Sequence, residues 1–438
     1  MRRILATIAL LGAGLGLSAQ SWTLEQCIHH ALENNLTVRQ GDLTVRQNEI
    51  ELNTAVNRRL PGLSASASES FSAGRSLLGN NTYATNTNST STNFNIGADV
   101  PVFQGFQIRN NIAAARLNLA AATADLEKIK DDIRVAVAQA FVQVLYNQEI
   151  LDVADNQIEI DSLQVDRLTE LLRNGKASAA ELAQQKASYA QSVYQRTQAA
   201  NNLRLSLLDL TQLLELPSPD GFSVVRPSAD GLEPRLLESA EDIYAAAEGR
   251  KASIQAEQKR LDAAEARVAV AKGAFLPSIS LSGGVGTGYY TSSLGSNNSF
   301  ADQMKNNFSQ QLGLSLSIPI FARMANRNSL RGAELSAQAQ AIQLETARKS
   351  LYKEIQQAWF AARASQDRYY SSRQVVESAR ESFELVNAKY ENGKANITEF
   401  NEAKNTLMKA ESDLVQARYE QLYQTSLLAF YKGGSLAL

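Results

Sequence analysis

Three glutamates have the spacing most open to a chemical reading. Glu181 follows Gly175 by six residues, Glu399 follows Gly393 by six, and Glu402 lies three further on. Ser178-x-x-Glu181 and Asn396-x-x-Glu399 read as capping boxes, in which the acid reaches back to satisfy backbone N–H groups at a helix start. That role accounts for Glu181 and Glu399 without any reaction. Glu402, one turn beyond Glu399 on the same helix face, is harder to attribute to capping. The run Gly283-Gly284-Val285-Gly286-Thr287-Gly288 invites comparison with a phosphate-cradling loop, but it lacks the Gly-Lys-Ser/Thr ending and sits in an alternating segment, so a strand with close backbone contacts fits better. His29 and His30 are adjacent on a helix and point apart, whereas zinc needs convergent ligands. Cys27 is the only cysteine, which excludes an intrachain disulfide and a multi-cysteine metal site. No nucleophile–base pair, metal cluster or nucleotide motif emerges, so neither an enzyme nor a cofactor is expected.

Composition sets wider bounds. The 438 residues are 44% apolar with formal net charge −2, and losing Arg2 and Arg3 with a leader makes it −2 − 2 = −4. No basic excess argues for nucleic acid. Residues 1–20, MRRILATIALLGAGLGLSAQ, read as a secretory signal peptide: two arginines, an apolar run from Ile4 to Leu17, then small residues. Cys27 follows Glu25-Gln26, a context that does not suggest acylation. No later apolar run approaches the roughly 20 residues of a transmembrane helix, so any membrane insertion must use strands.

The elements around the glutamates are duplicated. RNGKASAAEL from Arg173 returns as ENGKANITEF from Glu391, an offset of 393 − 175 = 218 between the glycines. The same offset relates Val100-Pro101-Val102-Phe103 to Ile318-Pro319-Ile320-Phe321; nearer the N-terminus it is 277 − 61 = 216, between Pro61 and Pro277. The first repeat is 21–216, the second 237–432, with a Pro-rich linker at 217–236 and a tail at 433–438. Units this long suggest a pseudo-symmetric architecture rather than a solenoid.

Neither Gly nor Pro occurs from Phe106 to Leu172 or from Ala333 to Asn392. Each segment reads as a helix on the order of 90 to 100 Å long. Gly175 and Gly393 suit the left-handed residue that ends such a helix, so 173–177 and 391–395 are helical hairpin tips. Asn174, Lys176, Asn392 and Lys394 are first of all turn residues. Phe400, Leu407 and Leu414 repeat every seven residues, interleaved with Ala403, Ala410 and Ala417, a coiled-coil seam. Trp22, ahead of Thr23-x-x-Gln26, reads as an anchor at a helix entry.

At about 62–103 and 278–321 the pattern alternates instead. Phe94, Ile96, Ala98, Val100 and Val102 share one face, as do Leu312, Leu314, Leu316, Ile318 and Ile320. Each repeat thus supplies a β-hairpin with an apolar face and a small or polar one. Four strands cannot close a barrel, and an open edge cannot face lipid. Three copies would supply twelve strands and gather their long helices into one cylinder.

These features resemble the TolC family of outer-membrane efflux and secretion channels. The resemblance rests on the opening WTLEQCIHHALENN from Trp22, the duplicated helix–hairpin–helix order, both Val/Ile-Pro-Val/Ile-Phe strand ends, both glycine corners and the tail LLAFYKGG from Leu427. It implies a mainly α fold with membrane β: a homotrimer whose long hairpins form an α-barrel through the periplasm, and whose chains each give four strands to a twelve-stranded barrel in outer-membrane lipid. It further implies the exit duct of a tripartite efflux or type I secretion system, joined through a periplasmic adaptor to an inner-membrane pump. Its gate residues match Glu181, Glu399, Glu402 and Tyr390. Where the family's usual acids are aspartates, glutamates stand here, and the arginine that helps lock its best-known gate corresponds to Ala395. Lys176 or Lys394 would be the substitute. Asn174, Gly175, Lys176, Asn392, Gly393 and Lys394 lie where adaptor hairpins dock. The competing reading is a membrane-free periplasmic coiled-coil scaffold or adaptor.

Overall fold

The computed structural model describes residues 20–77, 81–227, 237–295 and 298–436. Residues 1–19 of the segment read as a leader lie outside them, as does Pro234. The elements run β1 (Gln20–Trp22), α1 (Leu24–Asn34), α2 (Leu36–Asn57), β2 (Gly62–Leu77), β3 (Tyr83–Gln104), α3 (Gln107–Arg173), α4 (Ala179–Leu213) and β4 (Phe222–Val224). There follow α5 (Ala240–Glu248), α6 (Ala252–Gly273), β5 (Ser278–Ser292), α7 (Phe300–Asn306), β6 (Ser309–Ser317), α8 (Ala325–Glu391) and α9 (Ile397–Tyr431).

The offsets in the sequence return as element bounds. Helices α3 and α8 both have 67 residues, α4 and α9 both have 35, and each later helix starts 325 − 107 or 397 − 179 = 218 residues after its counterpart. At 1.5 Å per residue the long helices reach about 100 Å.

The chain divides into two compact units, one taking in the described residues up to Asp42, Asp125–Ile254 and the chain from Arg348, the other Leu43–Ala124 and Gln255–Ala347. In the first unit Val137, Phe141 and Leu145, four apart on α3, bury one face against Leu24, Cys27 and Ala31 of α1 and against Leu210 and Leu214. Burial pushes the Cys27 thiol up to about 12, leaving it inert. The short parallel pair β1–β4 brings Trp22 edge-on to His30 and onto Phe222. Thr23 and Gln26 form the reciprocal cap that opens α1.

The second unit holds an antiparallel sheet in the order β2-β3-β5-β6. Its register sorts the side chains cleanly. Leu63, Ala98, Gly283 and Leu312 lie abreast, as do Val100, Leu281 and Leu314, so one face is apolar. Between them Ser64, Gly97, Gly284 and Gln311 lie abreast on the other face. There the Asn93 and Asn95 side chains lie over β5 so closely that a Cβ at Gly286 would stand 2.5 Å from Asn95 Oδ1. Close approach accounts for this glycine run.

Two features depart from the sequence reading. Strand β3 crosses Pro101 by a bulge and continues to Gln104, but β6 stops at Ser317, short of Phe321. Pro319 cannot donate, and β5 begins only opposite Ser317, so nothing holds the last four residues in the sheet. Nor is the second hairpin made of two strands alone. Helix α7 intervenes, capped by Ser299, and the buried Gln303 amide pairs with both the N–H and C=O of Tyr290, covering the β5 edge where β6 is missing.

Candidate functional site: the hairpin tips and the buried charge beneath them

Both corners end in the same hydrogen-bonded turn. Gly175 has φ +71° and donates to Leu172 O, while Lys176 N donates to Leu171 O; Gly393 has φ +68° and donates to Tyr390 O, while Lys394 N donates to Lys389 O. The Asn174 and Asn392 amides each bond a carbonyl of the preceding turn, at 2.8 and 2.7 Å. Helix carbonyls at both tips are thereby satisfied by the chain itself. Lys176 and Lys394 are exposed, and neither ammonium group forms an ion pair among the described residues.

The three glutamates differ in how far they are committed. Glu181 is half-buried and accepts from Ser178 N and Ser178 Oγ at 2.7 and 3.0 Å, completing a reciprocal cap. At the second corner the reciprocity fails: Asn396 Oδ1 accepts from Glu399 N, but Glu399 Oε1 is engaged by the Asn396 side-chain amide and not by its backbone. The amide group of Asn, which Ser lacks, intercepts the carboxylate. Glu402 is exposed, and its carboxylate has no partner among the described residues.

Between the tips, Leu168, Leu182, Ile397 and Phe400 form an apolar cluster. Tyr390 stacks on Phe400 with ring centroids 5.0 Å apart, and the Arg167 guanidinium lies over the Tyr390 ring, 5.4 Å from its centroid. Burial raises the Tyr390 hydroxyl above its ordinary pKa; Arg167 opposes this and Glu181 adds to it. Arg167, also 3.9 Å from Glu391, is the cation beside Tyr390, and it comes from α3 rather than from either corner.

Deeper in the same unit lies a site that the sequence reading missed. Asp161 of α3 is fully buried and Lys404 of α9 is 2% exposed, and their side chains form an ion pair. The carboxylate is saturated: Oδ1 also accepts from Gln185 Nε2 at 2.9 Å, and Oδ2 accepts from Gln157 Nε2 at 3.1 Å and from Ser192 Oγ. Lys404 donates a second bond to Ser188 Oγ at 3.0 Å, and Asn401 Nδ2 donates to Gln185 Oε1 at 3.2 Å. Burial alone would push the Asp161 carboxyl up, but the bonds from Lys404, Ser192 and Gln157 outweigh it and hold the group below the usual carboxylate range. The sequence offers no more than proximity, with Asp161 one heptad before Leu168 and Lys404 one turn after Phe400, and nothing in it pairs the two charges.

Among the described residues no three His, Cys, Asp or Glu side chains come together as a metal site. His29 instead pairs with Glu33 on its own helix. Among the described residues no helix is long and apolar enough to cross a membrane.

The family model described as outer membrane efflux protein matches residues 27–215 and 243–434, one stretch per repeat. The cation efflux system protein CusC of Escherichia coli strain K12 is 24% identical over 421 residues, covering 93% of this chain and 86% of that protein. The outer membrane protein TolC of Salmonella enteritidis is 24% identical over 286 residues, 65% of this chain, and the match spans 57% of that protein's length. In fold, the crystal structure of the outer membrane protein VceC of Vibrio cholerae superposes with a TM-score of 0.76 at 19% identity, over 94% of this chain and 97% of the other. With both repeats matched in full order, the chain belongs to the outer membrane efflux protein family.

Proposed function

We propose that three copies of this chain close into a channel of 3 × 4 = 12 strands through the outer membrane, and that this channel is the exit duct of a tripartite efflux or type I secretion system. The observation that carries the reading is the four-stranded sheet: one face is apolar, and β2 and β6 each leave an edge without a neighbour among the described residues. Leu312 and Leu314 are 79% and 71% exposed in the single chain, a surface suited to lipid rather than water. Closure by copies of the same chain satisfies both edges at once. A membrane-free scaffold would have no use for that face.

The duct is passive, and a pump in the inner membrane supplies the energy through an adaptor. Tyr390, Glu181, Glu399 and Glu402 surround its periplasmic entrance, with the carboxylates of the three copies forming a cation-preferring ring. The exposed corners Asn174-Gly175-Lys176 and Asn392-Gly393-Lys394 receive the adaptor. A photo-crosslinker at Lys394 in living cells tests this assignment: it should capture a periplasmic adaptor together with its pump. Recovery of the protein in the soluble periplasmic fraction, without detergent, would contradict the channel.

A further inference from the structure

The second β-hairpin carries an element that the first lacks. Beyond the row that joins Glu69, Thr92 and Tyr289, β2 and β3 run on as paired strands to Leu77 and Tyr83, whereas β5 ends at Ser292 and α7 returns along its free edge. The side of the sheet that α7 occupies is fixed by two contacts. Thr287, on the apolar face, donates its hydroxyl to Met304 O at 2.7 Å, and Tyr289, on the same face, meets Phe300 with ring centroids 5.2 Å apart, edge to face. The Gln303 amide at Tyr290 and the Asn307 amide, which donates to Gly288 O at 2.6 Å, tie the helix to the β5 backbone. Helix α7 therefore lies on the apolar side, and Phe300 remains 53% exposed there.

A matching aromatic pair marks the other end of this face. Phe103, abreast of Ile279, meets Phe106 with ring centroids 5.2 Å apart. Along β5, Tyr289 is 289 − 279 = 10 residues from Ile279. At about 3.4 Å per residue and a strand tilt of about 40°, that stretch rises about 26 Å, close to the roughly 25 Å apolar band that aromatic girdles flank in outer-membrane barrels. Charge respects the same boundary. Among the described residues the apolar face carries no charged side chain from the row of Ile279 to the row of Thr287, and the first is Glu69, exposed and in the row of Tyr289.

Resting on the channel reading proposed above, we infer that α7 is an interfacial helix, seated in outer-leaflet lipid where headgroups meet acyl chains, with Phe300 and Tyr289 as its anchors. Tyr289 suits that level, since its ring is apolar and its hydroxyl polar. The Gln303 amide acquires a reason there as well. It satisfies the N–H and C=O of Tyr290 at a height where β6 is absent, and a bare strand edge that water would tolerate is costly beside lipid.

The test places full-length Phe300→Trp protein in vesicles containing lipids brominated either near the headgroup or near the acyl-chain ends. Tryptophan emission is read as the difference from the parent protein, in which Trp22 and Trp359 set the baseline. The emission added by Phe300→Trp should fall about two-fold with the shallow bromines and little with the deep ones, and Leu312→Trp, inside the band, should show the reverse order. Tyr289→Trp reads the same boundary and serves where Phe300→Trp does not assemble. Absence of quenching in the boundary variants beside a quenched Leu312→Trp would overturn the inference and leave the channel standing, as would deep quenching of the boundary variants equal to that of Leu312→Trp. Absence of quenching in Leu312→Trp as well would overturn the channel reading, and the inference with it.

Discussion

Lys404 on α9 meets Asp161 on α3 across 243 residues of sequence, and both side chains are shut off from solvent. The pair joins the two repeats of the chain by a charge contact that neither repeat contains alone. Its energetics are asymmetric. Replacing Lys404 by Met strands the carboxylate and should lower the stability of the assembled protein by about 3–5 kcal/mol, whereas Asp161→Leu/Lys404→Met should recover most of that loss. Denaturation midpoints of the two variants decide the point, and equal losses in both would contradict it.

The depressed pKa of Asp161 also fixes the direction of a pH effect. A carboxyl held below its unfolded value contributes stability that is fully present above that unfolded value, about 4, and is lost as pH falls through the folded value. The wild-type protein should therefore lose more stability on acidification below about pH 4 than the Asp161→Leu/Lys404→Met protein. Parallel pH profiles would remove Asp161 as the cause.

The acidic entrance is tested by charge removal. Glu399 is engaged only by its own cap and the Glu402 carboxylate by nothing among the described residues, so Glu399→Gln/Glu402→Gln should leave the fold intact. Reversal potentials under a KCl gradient should shift toward anions. Unchanged selectivity would show that the ion-selective constriction lies elsewhere.

The two faces of the sheet predict opposite tolerance. Leu314 is on the apolar face and Gln311 on the polar one. Leu314→Arg should reduce assembly in the outer membrane, at about 2–4 kcal/mol if the residue lies near the bilayer midplane, and Gln311→Arg should assemble normally and alter conductance. The reverse pattern would invert the assignment of lipid and lumen.

Much of this architecture was legible in the sequence because its signals are local. Absence of Gly and Pro marks the long helices, Gly175 and Gly393 mark the corners, and strict alternation marks β3. Where the signals were local but incomplete, the reading overshot: Ile318 and Ile320 continue the alternation of Leu312 to Leu316, but without a donor at Pro319 and a partner on β5 they leave the sheet. The knot was invisible for a different reason. A lysine among Asn401, Glu402 and Asn405 reads as a solvated face, and only the fold brings Asp161 to it. Arg167 escaped notice likewise, since only the fold brings α3 beside Tyr390.

On the proposed function, one chain is an incomplete wall and a ring of three copies is the functional object. Native mass spectrometry of the full-length protein extracted from outer membranes in detergent measures this directly. A complex of three copies that dissociates only on heating, with conductance in planar bilayers, is expected. A stable single copy, soluble without detergent, would contradict it.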